Sequence, residues 1–243
     1  MKYSLVFLSF TILINISVSG QELVTDRPDQ TESATIVPQY HLQWEAGSQY
    51  DEYNSGSEWT LLTNLFRYGV SDKLEFRLVT EIISAPKAGF DNYKLGTSDI
   101  QIGLKYALLK GPVEIAYMGH LVAPNGSIHT TFDAWGTVNR INIAHNFSEN
   151  ISSSYNFGYE LFEEGSNGDF IYTWALGFAL TEKLGFYIEL FGAYEEFESW
   201  TSNFSSGFAY LYKDNLQFDF SIGSGITDRS NYYNLGFSWR IPY

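Results

Sequence analysis

Four histidines, His41, His120, His129 and His145, are the side chains best suited to shuttle a proton or hold a metal. They form no HxH or HExxH pair. The 243 residues contain no cysteine, so a disulfide, a thiolate metal site, an iron–sulfur cluster and a catalytic thiol are all excluded. No cofactor is expected. The stretch "PNGSIHTTFDA" holds Ser127, His129 and Asp133, the residue types of a nucleophile, its base and an orienting acid. Their spacing matches no signature, and Ser, Asp and Gly are ordinary loop residues. Catalysis is therefore not expected, and a rim hydrolase, or a structural or adhesive barrel without transport, stands as the rival reading. The pairs Glu163-Glu164 and Glu195-Glu196 read as solvated loop charge, with calcium or magnesium bridging as the alternative.

A second set of charges recurs at alternate positions. Arg67, Glu75, Arg77, Glu81, Asp99, Lys105, Glu114, His120, Arg140, Glu189, Asp219 and Arg240 fall on the polar face of the alternation, and most of them lie between outward apolar or aromatic neighbours. Only strands, with their period of two, bring such residues to one face. "IQIGLKYAL" is typical: Ile100, Ile102, Leu104, Tyr106 and Leu108 face one way, Gln101, Gly103 and Lys105 the other.

The alternation appears in segments 40–50, 59–70, 74–83, 98–108, 113–123, 135–147, 151–161, 170–180, 184–194, 203–212, 216–224 and 232–243. Most can cross a bilayer as tilted strands, which takes about 9–11 residues. Short polar turns such as Ser71-Asp72-Lys73 and Lys213-Asp214-Asn215 alternate with longer loops at 51–58, 84–97, 124–134, 162–169, 195–202 and 225–231. That layout predicts an all-β protein, a transmembrane antiparallel up-and-down barrel of 12 strands with both termini on the periplasmic side. A soluble sandwich or lipocalin-like barrel alternates too, but the Gly-, Ser-, Gln- and charge-rich face here could not pack a dry core. Aromatic residues make up 18% of the chain and gather toward both strand ends, as at membrane interfaces. Leu61, Leu65, Val79, Ile83, Tyr187, Phe191 and Leu211 are expected to join the charges inside, which narrows the bore.

Residues 1–20 read as a cleaved secretory signal, with Lys2 before a short apolar run and Val18-Ser19-Gly20 at the exit. Residues 21–39 form a periplasmic segment, and 40–243 the barrel. The segment contains "TDRPDQTES", which suits neither strand nor helix. Its Asp26, Arg27, Asp29 and Glu32 are plug candidates, the three acids being expected to pair with Arg67, Arg77, Lys105 and Arg240. A disordered leader is the competing reading. The last strand places Phe237, Trp239, Ile241 and Tyr243 on the outward face, the form of an outer-membrane assembly signal. Expected partners are outer-membrane lipid and lipopolysaccharide, the assembly machinery and a small-molecule solute. The net charge of −14 rules against nucleic acid. The location expected is the outer membrane of a Gram-negative bacterium.

"TDRPDQTES", "FRYGVSDKLEFRL", "GTSDIQIGLKY" and the terminal "GFSWRIPY" together resemble the outer-membrane family named for the MetA pathway of phenol degradation, whose members are often labelled transporters. The resemblance covers essentially the whole mature chain. It implies a 12-stranded barrel and uptake of small molecules, aromatic or hydrophobic ones included. It brings no set of catalytic or binding residues with it.

Overall fold

The structure is a computed structural model that describes residues 23–242 apart from 55, 87–92, 128–130, 132 and 163–165. The segment 1–20, Glu22, His129, Glu163-Glu164 and Tyr243 lie outside the described residues.

Thirteen strands follow one another: β1 (Leu42–Tyr53), β2 (Gly56–Gly69), β3 (Leu74–Pro86), β4 (Tyr93–Thr97), β5 (Ile100–Leu109), β6 (Val113–Ala123), β7 (Gly136–Ser148), β8 (Ile151–Leu161), β9 (Asp169–Ala179), β10 (Leu184–Glu195), β11 (Ser199–Lys213), β12 (Leu216–Gly225) and β13 (Ser230–Ile241). Each pairs antiparallel with its neighbour. β13 returns to β1, with Trp44 opposite Trp239 and Leu42 opposite Ile241, so the sheet is closed. β4 and β5 both pair with β3, one along Ile82–Pro86 and the other along Leu74–Val79. They share one position in the wall, and the barrel has twelve strands as expected. Among the described residues there is no helix.

Burial runs opposite to a water-soluble protein. Arg67, Glu75, Arg77 and Lys105 are 0% exposed, whereas Leu104 is 47% and Leu235 61% exposed. Charges fill the interior and the apolar residues form the outer wall, an arrangement that suits hydrocarbon outside and hydrogen bonding within. Closure leaves no strand edge, so every rung of the backbone ladder can find a partner across the wall.

Three stretches expected as loops are largely strand. Residues 51–53 and 56–58 extend the β1–β2 hairpin, 84–86 and 93–97 extend β3 and form β4, and β11 begins at Ser199. Beyond the membrane both faces of a hairpin meet water, so the apolar alternation fades while the backbone ladder continues. Leu61, expected inside, is instead 45% exposed at a bulge where β2 slips register against both β1 and β3.

Candidate functional site

Residues 23–39 run across the bore. Their contacts reach strands all round the wall: Asp26 meets Arg67 of β2, Arg77 of β3 and Lys105 of β5. Thr35 donates to Glu114 of β6, Glu32 N to Asn156 of β8, Thr31 to Glu189 of β10, and Arg27 to Asp219 of β12 and Asn234 of β13. The segment also folds on itself, since Ser33 N and Oγ both donate to Asp26 Oδ1, at 2.9 and 2.7 Å.

One flank of the segment is locked by ions. Asp26 Oδ2 lies 2.6 Å from Arg77, 2.8 Å from Lys105 and 3.4 Å from Arg67. Arg67 is held in turn by Glu45 at 2.8 Å and Glu75 at 2.9 Å, and Glu75 also meets Arg77 at 2.9 Å. Glu32 contacts Arg77 at 3.1 Å and Lys105 at 3.5 Å. Three cations thus face four carboxylates, two of them from the segment. Removing one member leaves an uncompensated buried charge, so the cluster acts as a unit. His120 is fixed as a neutral ring, its Nε2 accepting from Arg77 Nε at 3.0 Å and its Nδ1 facing Gln101 Oε1 at 3.1 Å.

The opposite flank is different. Glu189 accepts from Thr31 N and Oγ1, Gln30 N and Ser205 Oγ. Arg27 lies 2.8 Å from Asp219 and occupies a niche over Gly47 of β1 and Gly236 of β13, which are opposite one another in the ladder. A Cβ at either glycine would overlap the guanidinium. Asp29 stands beside Glu189, and among the described residues no base is paired to it.

These placements divide the expected pairings. Asp26 and Glu32 meet Arg67, Arg77 and Lys105. Asp29 does not, because position 29 points toward the acidic wall, and Arg240 hydrogen-bonds Gln43 at 3.2 Å instead. The Arg27–Asp219 pair was not anticipated; the two inward glycines in register were its signal. Elsewhere on the inner face, Arg140 pairs with Glu160, and Thr63 donates to Glu81 at 3.2 Å. Asp99 organises a loop, accepting from Gly126 N and Thr131 Oγ1, both at 2.7 Å. Ser127 takes part in that loop through Thr97, whose N donates to its Oγ at 2.9 Å.

The acids of the segment respond to these surroundings. Burial pushes Asp26 up, but Arg67, Lys105 and Arg77 outweigh it and hold the carboxyl well below its usual range. Glu32 is lowered as well, its burial opposed chiefly by Arg77. For Asp29, burial and the charges of Glu189, Asp26 and Asp219 act together and raise it well above the usual range. Docking therefore gains from ionised Asp26 and Glu32, a gain present above the free carboxylate value and lost as pH falls through their depressed values. Ionised Asp29 opposes docking, and that opposition fades as pH falls through its raised value. A spin label at Gln30→Cys should accordingly become less mobile on mild acidification and more mobile only in strong acid, below the ordinary carboxylate range. A mobility that is flat with pH would count against this balance.

Cavities lie on both sides of the segment. Toward the long-loop end, one of 280 Å³ is bounded by Arg77, His120 and Arg140 and by Leu65, Val79, Met118, Val138 and Phe162. Another of 240 Å³ adjoins it at Gln30, Arg140 and Glu160. Toward the short-turn end, one of 360 Å³ reaches the β7–β8 turn at Glu149 and Asn150.

The same architecture occurs in solved outer-membrane channels. An outer membrane channel from Pseudomonas putida F1 superposes with a TM-score of 0.66 at 12% identity, covering 86% of this chain and 98% of that one. The KdgM porin, solved in complex with disordered oligogalacturonate, gives 0.59 at 12%, covering 82% and 99%. CymD, a monoaromatic hydrocarbon channel, gives 0.52 at 10%, covering 84% and 90%. At such identities the likeness concerns the fold. No match to a curated protein sequence reaches significance. The sequence profile described as "Putative MetA-pathway of phenol degradation" matches residues 25–241, nearly the whole described chain, and the protein belongs to that family.

Proposed function

We propose that the protein is a passive outer-membrane channel for small molecules, aromatic and hydrophobic compounds among them, and that residues 23–39 act as its constriction. The observation that carries this reading is a polar segment tied across an ion-lined bore with cavities on both sides of it. Diffusion through such a bore needs no catalytic step or cofactor. The apolar wall of the 280 Å³ cavity supports the solute class, since small-molecule sites pair apolar walls with a few placed polar groups. The hydrocarbon-channel description of CymD agrees with it.

In this reading residues 1–20 export the chain, and the exposed aromatic wall meets lipid and lipopolysaccharide. The outward row of β13 is what the assembly machinery reads. Phe237 also packs edge-on against Trp44 at 4.9 Å across the closing seam. Serine at Phe237 and Trp239 together should leave an exported protein largely missing from the membrane fraction; normal barrel levels would refute the assignment. The channel itself is tested with the refolded mature protein, in planar bilayers and in solute-loaded liposomes. Failure to pass either ions or small aromatic solutes would remove the proposal.

A further inference from the structure

The channel reading leaves open where a solute passes the segment, and the two flanks differ too much to be equivalent. On the β2–β5 flank, Arg67, Arg77 and Lys105 are fully buried against Asp26, Glu45 and Glu75. Val37, on the same flank, is 2% exposed, and its N–H is bonded to Glu75 at 2.8 Å. These contacts tie the segment to the wall at the level of Asp26 and Val37, and parting it there would break several charge pairs together. The 280 Å³ cavity, walled mainly by β1–β3 and β5–β7 on the long-loop side, and the 360 Å³ cavity, walled by β7–β11 on the short-turn side, approach each other across the segment, and the residues lining both are Arg27 and Asp29.

From this geometry we infer that solutes pass the segment at Arg27 and Asp29, between the two cavities and away from the Asp26 cluster, and that Asp29 is the residue setting charge preference there, favouring cations and neutral hydrogen-bonding solutes over anions. Arg27 would favour anions were it free, but its guanidinium is drawn to the wall by Asp219 and Asn234 and seated over Gly47 and Gly236. Its charge is largely answered where it lies. Among the described residues Asp29 has no such base, and Glu189 lies beside it, so this carboxyl carries its charge above its raised value and the preference for cations strengthens as pH rises. Tyr187 lines the cavity on the short-turn side, its buried hydroxyl without a hydrogen-bond partner among the described residues. The passage between the cavities is therefore acidic, with the Tyr187 phenol on its short-turn side. An anion must cross an acidic passage with poorly screened charges, whereas a cation or a neutral hydroxylated solute finds compensation.

The chain has no cysteine, so a single engineered thiol reports its own surroundings. In the folded full-length protein in detergent, Asp29→Cys should react with a small methanethiosulfonate reagent, read by mass spectrometry, while Val37→Cys stays protected. In a bilayer under a salt gradient, recorded over a rising pH series, Asp29→Asn should reduce the cation-to-anion permeability ratio by roughly two- to fivefold at the alkaline end, where Asp29 is ionised. Asp29→Lys should turn the preference toward anions. Labelling at 37 as fast as at 29, or an unchanged reversal potential in both charge variants, would overturn the inference. Absence of all current in the parent protein would defeat the channel reading instead, and the labelling pattern would still decide which flank is open.

Discussion

Asp26→Asn should free the segment from the lumen. The change keeps the shape of the side chain and its contact with Ser33, but removes the one carboxylate within 3.4 Å of Arg67, Arg77 and Lys105 at once. Breaking a buried charge pair from one side costs about 3–5 kcal/mol, because the partner stays buried and uncompensated. Docking of a short segment should not survive a loss of that size, whereas the barrel wall, held by its closed ladder, should. Limited proteolysis of the folded protein should then cut within residues 23–39, and single-channel conductance should rise. Glu32→Gln should do less, since that carboxylate is partly exposed and shares its bases with Asp26. Full protease protection in Asp26→Asn would show that the ionic flank is not what holds the segment.

Arginine on the outward face should damage the barrel as a whole. Leu104 and Phe220 are exposed near the middle of β5 and β12, and a charge placed at the bilayer midplane costs about 2–4 kcal/mol. The loss should appear in a denaturant refolding titration in lipid vesicles. An inward control must avoid positions already filled. At Gly103 even a Cβ would meet the His120 imidazole, and Ser221 is buried with its Oγ 3.5 Å from Pro28 O. Thr63 is the better choice, because it borders the 280 Å³ cavity. Thr63→Arg should leave stability nearly unchanged. Equal losses at Leu104, Phe220 and Thr63 would invalidate the inside–outside assignment.

The wall of this barrel was legible in the sequence because its physics is local. A strand turns its side chains over every second residue, and a membrane demands apolar groups on one side and permits polar ones on the other. Positions such as Leu104 and Lys105 therefore announce their faces without any knowledge of the fold. The signal stops where that demand stops: above the membrane the β1–β2 hairpin continues through Asp51, Glu52, Ser57 and Glu58 with no alternation to mark it. At Thr60–Leu62 one extra residue in the ladder breaks the parity and turns Leu61 outward.

The interior was only half legible. Net charge indicated that an acidic segment could meet a basic patch, and Asp26 and Glu32 do so. Charge alone could not distinguish Asp29 from its neighbours, because that depends on which way each side chain points once the segment turns inside the bore. Asp26 reaches Lys105, 79 residues away, while Thr31, two residues beyond Asp29, bonds Glu189 at a separation of 158. Only barrel closure brings β5 and β10 to opposite flanks of one short segment. Likewise Gly47 and Gly236 become a seat for Arg27 only when β13 pairs with β1. Outside the bulge at Leu61, the sequence by itself determined which residues face the lumen, since that follows from a two-residue period; the tertiary structure decided which of them meet, since that follows from the closed register of distant strands.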